Sequence, residues 1–205
     1  LGSRELGDVY KRQDWERMRQ ADYAWWKERI AAAARLFDVI RIDHFRGLES
    51  YWAIPYGDKT ARGGKWVKGP GHDFVRAMQE RFPDLRLIAE DLGFLTDDVI
   101  RLQKDSGWPG MKVLEFAFDS RDTSSYLPHS YTENCVCYTG THDNETLVSW
   151  YQTVTDAERA MVRDYLYDYA TPEEQLYKSM IALILRSAAA TCIIPCLLYT
   201  SPSPR

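Results

Sequence analysis

The chain has 205 residues, 45% of them hydrophobic and 27% charged, enough to bury a core and short enough that one domain is the default. Lys and Arg number 26 against 30 Asp and Glu, and this mildly acidic balance argues against nucleic acid or an anionic membrane as the main partner. No apolar run reaches the ~18 residues of a membrane span, and the N-terminus lacks a signal-peptide pattern.

Residues 1–13 (LGSRELGDVYKRQ) show no sustained period and 196–205 end in Ser/Pro alternation, so both are read as extraneous or disordered tails. Residues 14–195 are expected to form the folded part. Asp14 can cap a helix whose buried face includes Trp26, Ile30, Ala33 and Phe37. Asp38 to Phe45 reads as a strand, followed by a Gly-rich loop from Gly57 to Gly71. Phe74, Met78 and Phe82 mark a helix, Leu85 to Ala89 a short buried strand, and Thr96 to Lys104 another helix. Met111 to Phe118 and Cys135 to Thr141 are the next strands. Two helices follow, opened by capping boxes at Thr155-x-x-Glu158 and Thr171-Pro172-Glu173-Glu174. Leu176, Met180, Leu183, Ile184 and Ser187 share a face of the second, and Thr191 to Pro195 is a last strand. Alternating strands and helices predict an α/β fold, a parallel sheet with helices outside.

The four cysteines, Cys135, Cys137, Cys192 and Cys196, are spaced poorly for zinc and read as small apolar residues kept reduced in the cytoplasm. His72 and His129 are expected in solvated loops, and Trp25 and Trp26 in helix packing. The polar residues gather where successive strands end: Arg41, Asp43 and His44; Glu90 and Asp91; Glu115; then His142, Asp143, Asn144 and Glu145. In parallel α/β barrels that rim builds the active site. Three convergent acids suit retaining glycosyl transfer, in which one carboxylate attacks the anomeric carbon and a protonated acid serves the leaving oxygen. A neighbouring Arg keeps the nucleophile ionised, while burial and a nearby carboxylate raise the acid.

Four motifs in order carry a resemblance: RIDHFRG from Arg41, IAEDLG from Ile88, PGMKVL from Pro109 and GTHDNET from Gly140. They resemble the C-terminal half of the 4-α-glucanotransferases (amylomaltases, glycoside hydrolase family 77) over residues 14–195. The resemblance implies a partial (β/α)8 barrel holding its later strands, with Asp43 as nucleophile, Glu90 as acid/base and Asp143 as transition-state stabiliser. It implies that Arg41 and His142 bind substrate, that no metal or cofactor is needed, and that the substrate is an α-1,4-glucan.

Alternatives stand beside these expectations. Trp52 and Trp66 suit sugar stacking or loop packing, and Glu115 a sugar contact or an ordinary strand position facing the barrel. Asn144 fits a turn. An α-amylase-type hydrolase would use similar acids with water as acceptor, and a metal-dependent hydrolase would use His44 and His142. Five strands are read where a closed barrel needs eight. The isolated chain is therefore expected to expose a sheet edge and to have little or no activity, as a non-catalytic fragment.

Overall fold

The computed structural model describes residues 13–93, 95–119 and 126–195; the expected tails, apart from Gln13, lie outside the described residues. The chain divides into two compact units, Leu1–Trp108 and Pro109–Arg205.

In the first unit Asp14 caps α1 (Trp15–Gln20), its carboxylate accepting the Arg17 backbone N–H at 3.1 Å. The single helix expected here is in fact two. The backbone turns left-handed at Asp22 and Tyr23 (φ 51° and 53°) before α2 (Ala24–Ala34) begins. Tyr23 offsets that strain: its ring is 3% exposed and meets Phe74 edge-on at 5.6 Å, and its N–H reaches the Met18 carbonyl at 2.7 Å. Ile30 is buried as expected, but Phe37 lies beyond the helix end and is 59% exposed, so it is not a core residue.

β1 (Val39–Ile42) is shorter than its hydrophobic run, because the chain turns at Asp43 into the short α3 (Arg46–Glu49). β2 (Ser50–Ala53) and β3 (Lys65–Lys68) then form an antiparallel hairpin in which Trp52 faces Trp66. The Gly-rich stretch is therefore not all loop. The cross-strand indole pair supplies contact that the composition of that stretch conceals. Gly69 closes the hairpin against α3, where a Cβ would come within 2.3 Å of the Leu48 carbonyl oxygen.

α4 (Gly71–Arg81) buries Phe74 and Met78 completely, at the expected helical spacing. His72 belongs to this helix rather than to a loop, its Nε2 lying 2.9 Å from an Asp105 carboxylate oxygen. β4 (Arg86–Ala89) pairs in parallel with β1, in register from Val39–Arg86 to Ile42–Ala89. α5 (Asp97–Ser106) completes the unit. Its core joins Phe45, Phe74, Met78, Leu87, Ala89 and Leu102.

The second unit starts with β5 (Gly110–Val113), which stops short of the expected Phe118 because Leu114–Phe116 coil into a 3₁₀ turn. β6 (Cys135–Tyr138) pairs in parallel with β5. α6 (Leu147–Thr153) was not anticipated; the Thr146 hydroxyl caps it by accepting the Ser149 N–H at 3.1 Å. The Thr155 capping box at the start of α7 (Asp156–Leu166) is present in both directions.

The second expected box is not. The Thr171 N–H donates to Asp168 at 3.0 Å, and a 3₁₀ turn at Glu173–Gln175 precedes α8 (Leu176–Leu185). Leu176, Met180 and Ile184 are buried on the expected face of α8. β7 (Thr191–Ile193) pairs in parallel with β6. His129 is exposed, as expected, and its Nδ1 lies 2.9 Å from the Tyr165 hydroxyl. Cys135 and Cys137 are buried and Cys192 half-buried, all as free thiols; Cys196 lies outside the described residues. No helix among the described residues is long and apolar enough to cross a membrane.

Each unit has its own core, so its stability should respond to its own residues. Phe74→Ala is expected to lower the unfolding free energy of the first unit by about 3–5 kcal/mol. Thr155→Ala is expected to cost the second about 1 kcal/mol through the lost cap. Urea titrations of both variants, followed by tryptophan fluorescence and amide exchange, check the two values.

Candidate active site

In the first unit, β1 and β4 end level with each other, so Asp43 and Glu90 leave adjacent strands at the same height. The ladder continues one step beyond the strands: the Glu90 N–H donates to the Ile42 carbonyl at 3.0 Å, and the Phe45 N–H to the Glu90 carbonyl at 2.8 Å. The Glu90 side chain then folds back on this junction. One carboxylate oxygen accepts the His44 backbone N–H at 2.7 Å and the other the Leu92 N–H at 2.9 Å. His44 is left-handed (φ 50°), and Gly47 makes room for its ring, since a Cβ there would approach His44 Cδ2 to 2.9 Å.

Asp43 points outward with its side chain 76% exposed, and Arg41 Nη2 donates to its Oδ1 at 2.5 Å. An ion pair this exposed contributes little to stability, so its effect is on orientation and local charge. A cleft of about 560 Å³ opens beside Asp43, walled by His44, Tyr51, Trp52, Trp15 and Trp26. Trp15 and Trp26 are a pair that sequence reasoning missed as cleft residues; Trp26 had been assigned to packing alone. Their rings stack at 6.2 Å, and the buried Trp26 Nε1 has no hydrogen-bond partner among the described residues. A larger cleft of about 830 Å³ near Glu16, Arg19 and Asp73 contains none of the candidate acids, and those charges pair with one another.

The two hairpin tryptophans divide. Trp52 lines the Asp43 cleft while its Nε1 donates to the Ala61 carbonyl at 2.9 Å. Trp66 lines a separate cleft of about 270 Å³, and the Arg46 guanidinium lies over its ring at 4.3 Å. The rings meet at 5.4 Å and 70°. Both are half-exposed and pack on each other.

In the second unit, the residues after β6 form a turn held by Asn144, as its residue type suggested. The Asn144 Oδ1 accepts both the N–H and the hydroxyl of Thr141, at 2.8 and 2.7 Å. The turn presents His142 and Asp143 to solvent, with side chains 71% and 82% exposed and 3.3 Å between them. Glu115 differs from both. It sits on the 3₁₀ turn after β5, is 5% exposed, and neither carboxyl oxygen has a hydrogen-bond partner among the described residues. Burial pushes its carboxyl up to about 8, and the like charge of Glu145 adds to the effect. Glu115, expected as an ordinary strand residue facing the barrel or as a sugar contact, is thus a buried acid on a 3₁₀ turn. The structure therefore brings Arg41, Asp43, Glu90 and Trp52 together in one unit, and holds His142 beside Asp143 in the other.

A family model described as 4-alpha-glucanotransferase matches residues 12–198. The chain belongs to the 4-alpha-glucanotransferase family.

Among its relatives, the 4-alpha-glucanotransferase of Clostridium butyricum is 42% identical over 180 residues, covering 88% of this chain and 37% of that protein. That of Streptococcus pneumoniae is 47% identical over 174 residues, covering 85% of this chain and 34% of its own length. The chain thus spans about a third of the curated relatives it matches. The solved amylomaltase of Streptococcus agalactiae, in complex with acarbose, superposes with a TM-score of 0.82 at 35% identity, over 88% of this chain and 36% of that one. The α/β fold is accordingly a partial (β/α)8 barrel, as the family resemblance implied.

The doubly accepting Glu90 makes a specific prediction for this family member. Glu90→Gln replaces one acceptor oxygen by an NH₂ that cannot accept, so either the His44 or the Leu92 N–H loses its partner. The expected cost is about 1–3 kcal/mol, read by chemical denaturation, together with a shift of one of those two amide resonances. Unchanged stability and unchanged amide shifts would reject the clamp.

Proposed function

We propose that this chain supplies the reacting carboxyl groups of a 4-alpha-glucanotransferase. The whole enzyme would move a segment of an α-1,4-glucan onto the 4-hydroxyl of another glucan or of glucose. The observation that carries the reading is the pairing of Asp43 and Glu90 on level, adjacent strand ends, in a chain matched by the family model over residues 12–198. The acarbose bound to the related amylomaltase supports a sugar ligand for this fold.

Asp43 is the nucleophile. Arg41 engages Oδ1, which leaves Oδ2 for the anomeric carbon. Glu90 is the acid/base; each of its oxygens keeps a proton site beyond the one committed to a backbone N–H. In the first step Asp43 Oδ2 bonds to C1 while Glu90 protonates the glycosidic oxygen, and the reducing-end portion leaves. In the second, the acceptor 4-hydroxyl attacks C1, Glu90 takes its proton, and the Asp43 ester is broken. Two displacements retain the anomeric configuration, for which retaining enzymes hold the two carboxyls ~5–5.5 Å apart.

Asp143 supplies negative charge to the oxocarbenium-like transition state, with His142 on the sugar hydroxyls. Trp52 offers a stacking face inside the cleft, and Trp66 one beside it. The chemistry needs no metal or cofactor. Free Cys135, Cys137 and Cys192 suit the reducing cytoplasm in which we place the enzyme.

The test uses a chimera in which this chain replaces the matching segment of the Clostridium butyricum relative, incubated with maltotriose. Longer and shorter maltodextrins are expected; glucose and maltose alone would mean hydrolysis instead. Asp43→Asn is expected to reduce transfer to background. Glu90→Gln should lower kcat by about 10²–10⁴-fold. Retained activity in either variant would reject its assigned role.

A further inference from the structure

Glu115 has no part in the mechanism above, yet it is the most unusual carboxyl group among the described residues. It is 5% exposed, and its neighbours in sequence, Leu114, Ala117 and Phe118, are sealed in the apolar core of the second unit. Neither carboxyl oxygen has a hydrogen-bond partner among the described residues. The one titratable group among them that acts on it electrostatically is Glu145, which carries the same charge; no cation does. An isolated carboxylate in such surroundings is far costlier than a neutral acid.

Its place in the fold gives this chemistry a consequence. The Glu115 backbone N–H donates to the Thr139 carbonyl at 3.2 Å, which ties the turn after β5 to the first residue after β6. Thr139 is itself fully buried, with a hydroxyl that has no partner among the described residues. From there the chain runs through Gly140 and the Thr141–Asn144 turn to Glu145, so both the attachment point and the opposing charge belong to the segment that presents Asp143. Glu145 is anchored in turn by the Ser149 hydroxyl at 2.5 Å. Ionising Glu115 would set a buried charge at the root of this segment and repel Glu145 at its far end.

We infer that Glu115 is a positioning residue for the Asp143 segment, an uncharged carboxyl group that must keep its proton for that segment to stay seated. The inference rests on the reading of Asp143 given above, but the state of Glu115 is measurable without it. Burial pushes the native carboxyl up to about 8 from an ordinary 4.5, so the unfolded chain loses its proton first. Stability from this group is therefore fully present below about pH 4.5 and is lost progressively as pH rises to about 8.

Three measurements test the idea. First, a ¹³C titration of glutamate-labelled chain should show the Glu115 carboxyl still protonated at pH 7; a midpoint near 4.5 would overturn the inference. Second, the melting temperature of Glu115→Gln relative to the unsubstituted chain should rise between pH 5 and pH 8, because the amide cannot ionise. A pH-independent difference would count against it.

Third, in the glucanotransferase chimera, kcat at pH 9 relative to pH 7 should fall about tenfold more for the parent than for Glu115→Gln, as expected for loss of one proton with a midpoint near 8. Superimposable alkaline limbs would show that the group does not act on the site. An Asp143→Asn chimera run in parallel separates the two failures. If it keeps full activity, the role of Asp143 is wrong, while the titration and the melts still decide the state of Glu115.

Discussion

Where two parallel strands stop side by side, their backbone must find new hydrogen-bond partners within a residue or two or leave polar groups stranded. At the ends of β1 and β4 the carboxylate of Glu90 meets that requirement. It accepts the N–H of His44 across the junction and the N–H of Leu92 two residues on, while its main chain pairs with Ile42 and Phe45. The left-handed His44, the turn into α3 and the outward aim of Asp43 all follow from that junction. A side chain one methylene shorter would not span the gap in the same way. The group proposed for proton transfer is thus also the one that shapes the ground on which Asp43, the proposed nucleophile, stands. Loss of activity on its substitution must therefore be read beside a measure of structure.

The sequence revealed the strands better than the connections. Short apolar runs such as Leu87 to Ala89 and Cys135 to Cys137 are buried because a parallel strand has helices or core on both faces, and that pattern is local. What was not legible depends on contacts made at a distance. The break at Asp22 and Tyr23 is stabilised by the Tyr23 ring against Phe74, some fifty residues later, and no nearby Gly or Pro announces it. β3 lies in a stretch whose glycines read as loop, and it is joined to β2 by a Trp–Trp pair that only the register brings together. Thr171 has every local mark of a helix cap but is taken by Asp168, a competitor that propensity does not weigh.

The site divides along the same line. Strand-end position singled out Asp43, Glu90 and Asp143, because in a parallel α/β fold the turn after a strand can carry polar groups that the strand cannot. The same rule, applied to Glu115, left open an ordinary strand position facing the barrel or a sugar contact; the structure buries it with no partner among the described residues. The 3₁₀ turn that ends β5 early rotates this residue inward. The number of residues past a strand end is therefore not enough; the local helical sense of the turn decides which face receives the side chain. Trp15 and Trp26 were missed for a related reason, since helix periodicity identifies an inward face without saying whether that face meets core or cleft.

Three carboxyl groups in one chain thus meet three different solutions to the cost of a charge. Asp43 stays in water beside a guanidinium, where a carboxylate is solvated and paired at once. Glu90 is half-buried and trades water for two backbone donors, which fix its direction while leaving room for a proton. Glu115 has neither water nor donors and resolves the conflict by remaining neutral. The environments of the first two suit the opposite roles proposed for them in a double displacement. Family membership does not by itself account for the third, because a buried acid without a partner is tolerated only where its polarity has a use or its removal has a cost. Its backbone tie to Thr139 and its opposition to Glu145 locate that use in the segment that holds Asp143.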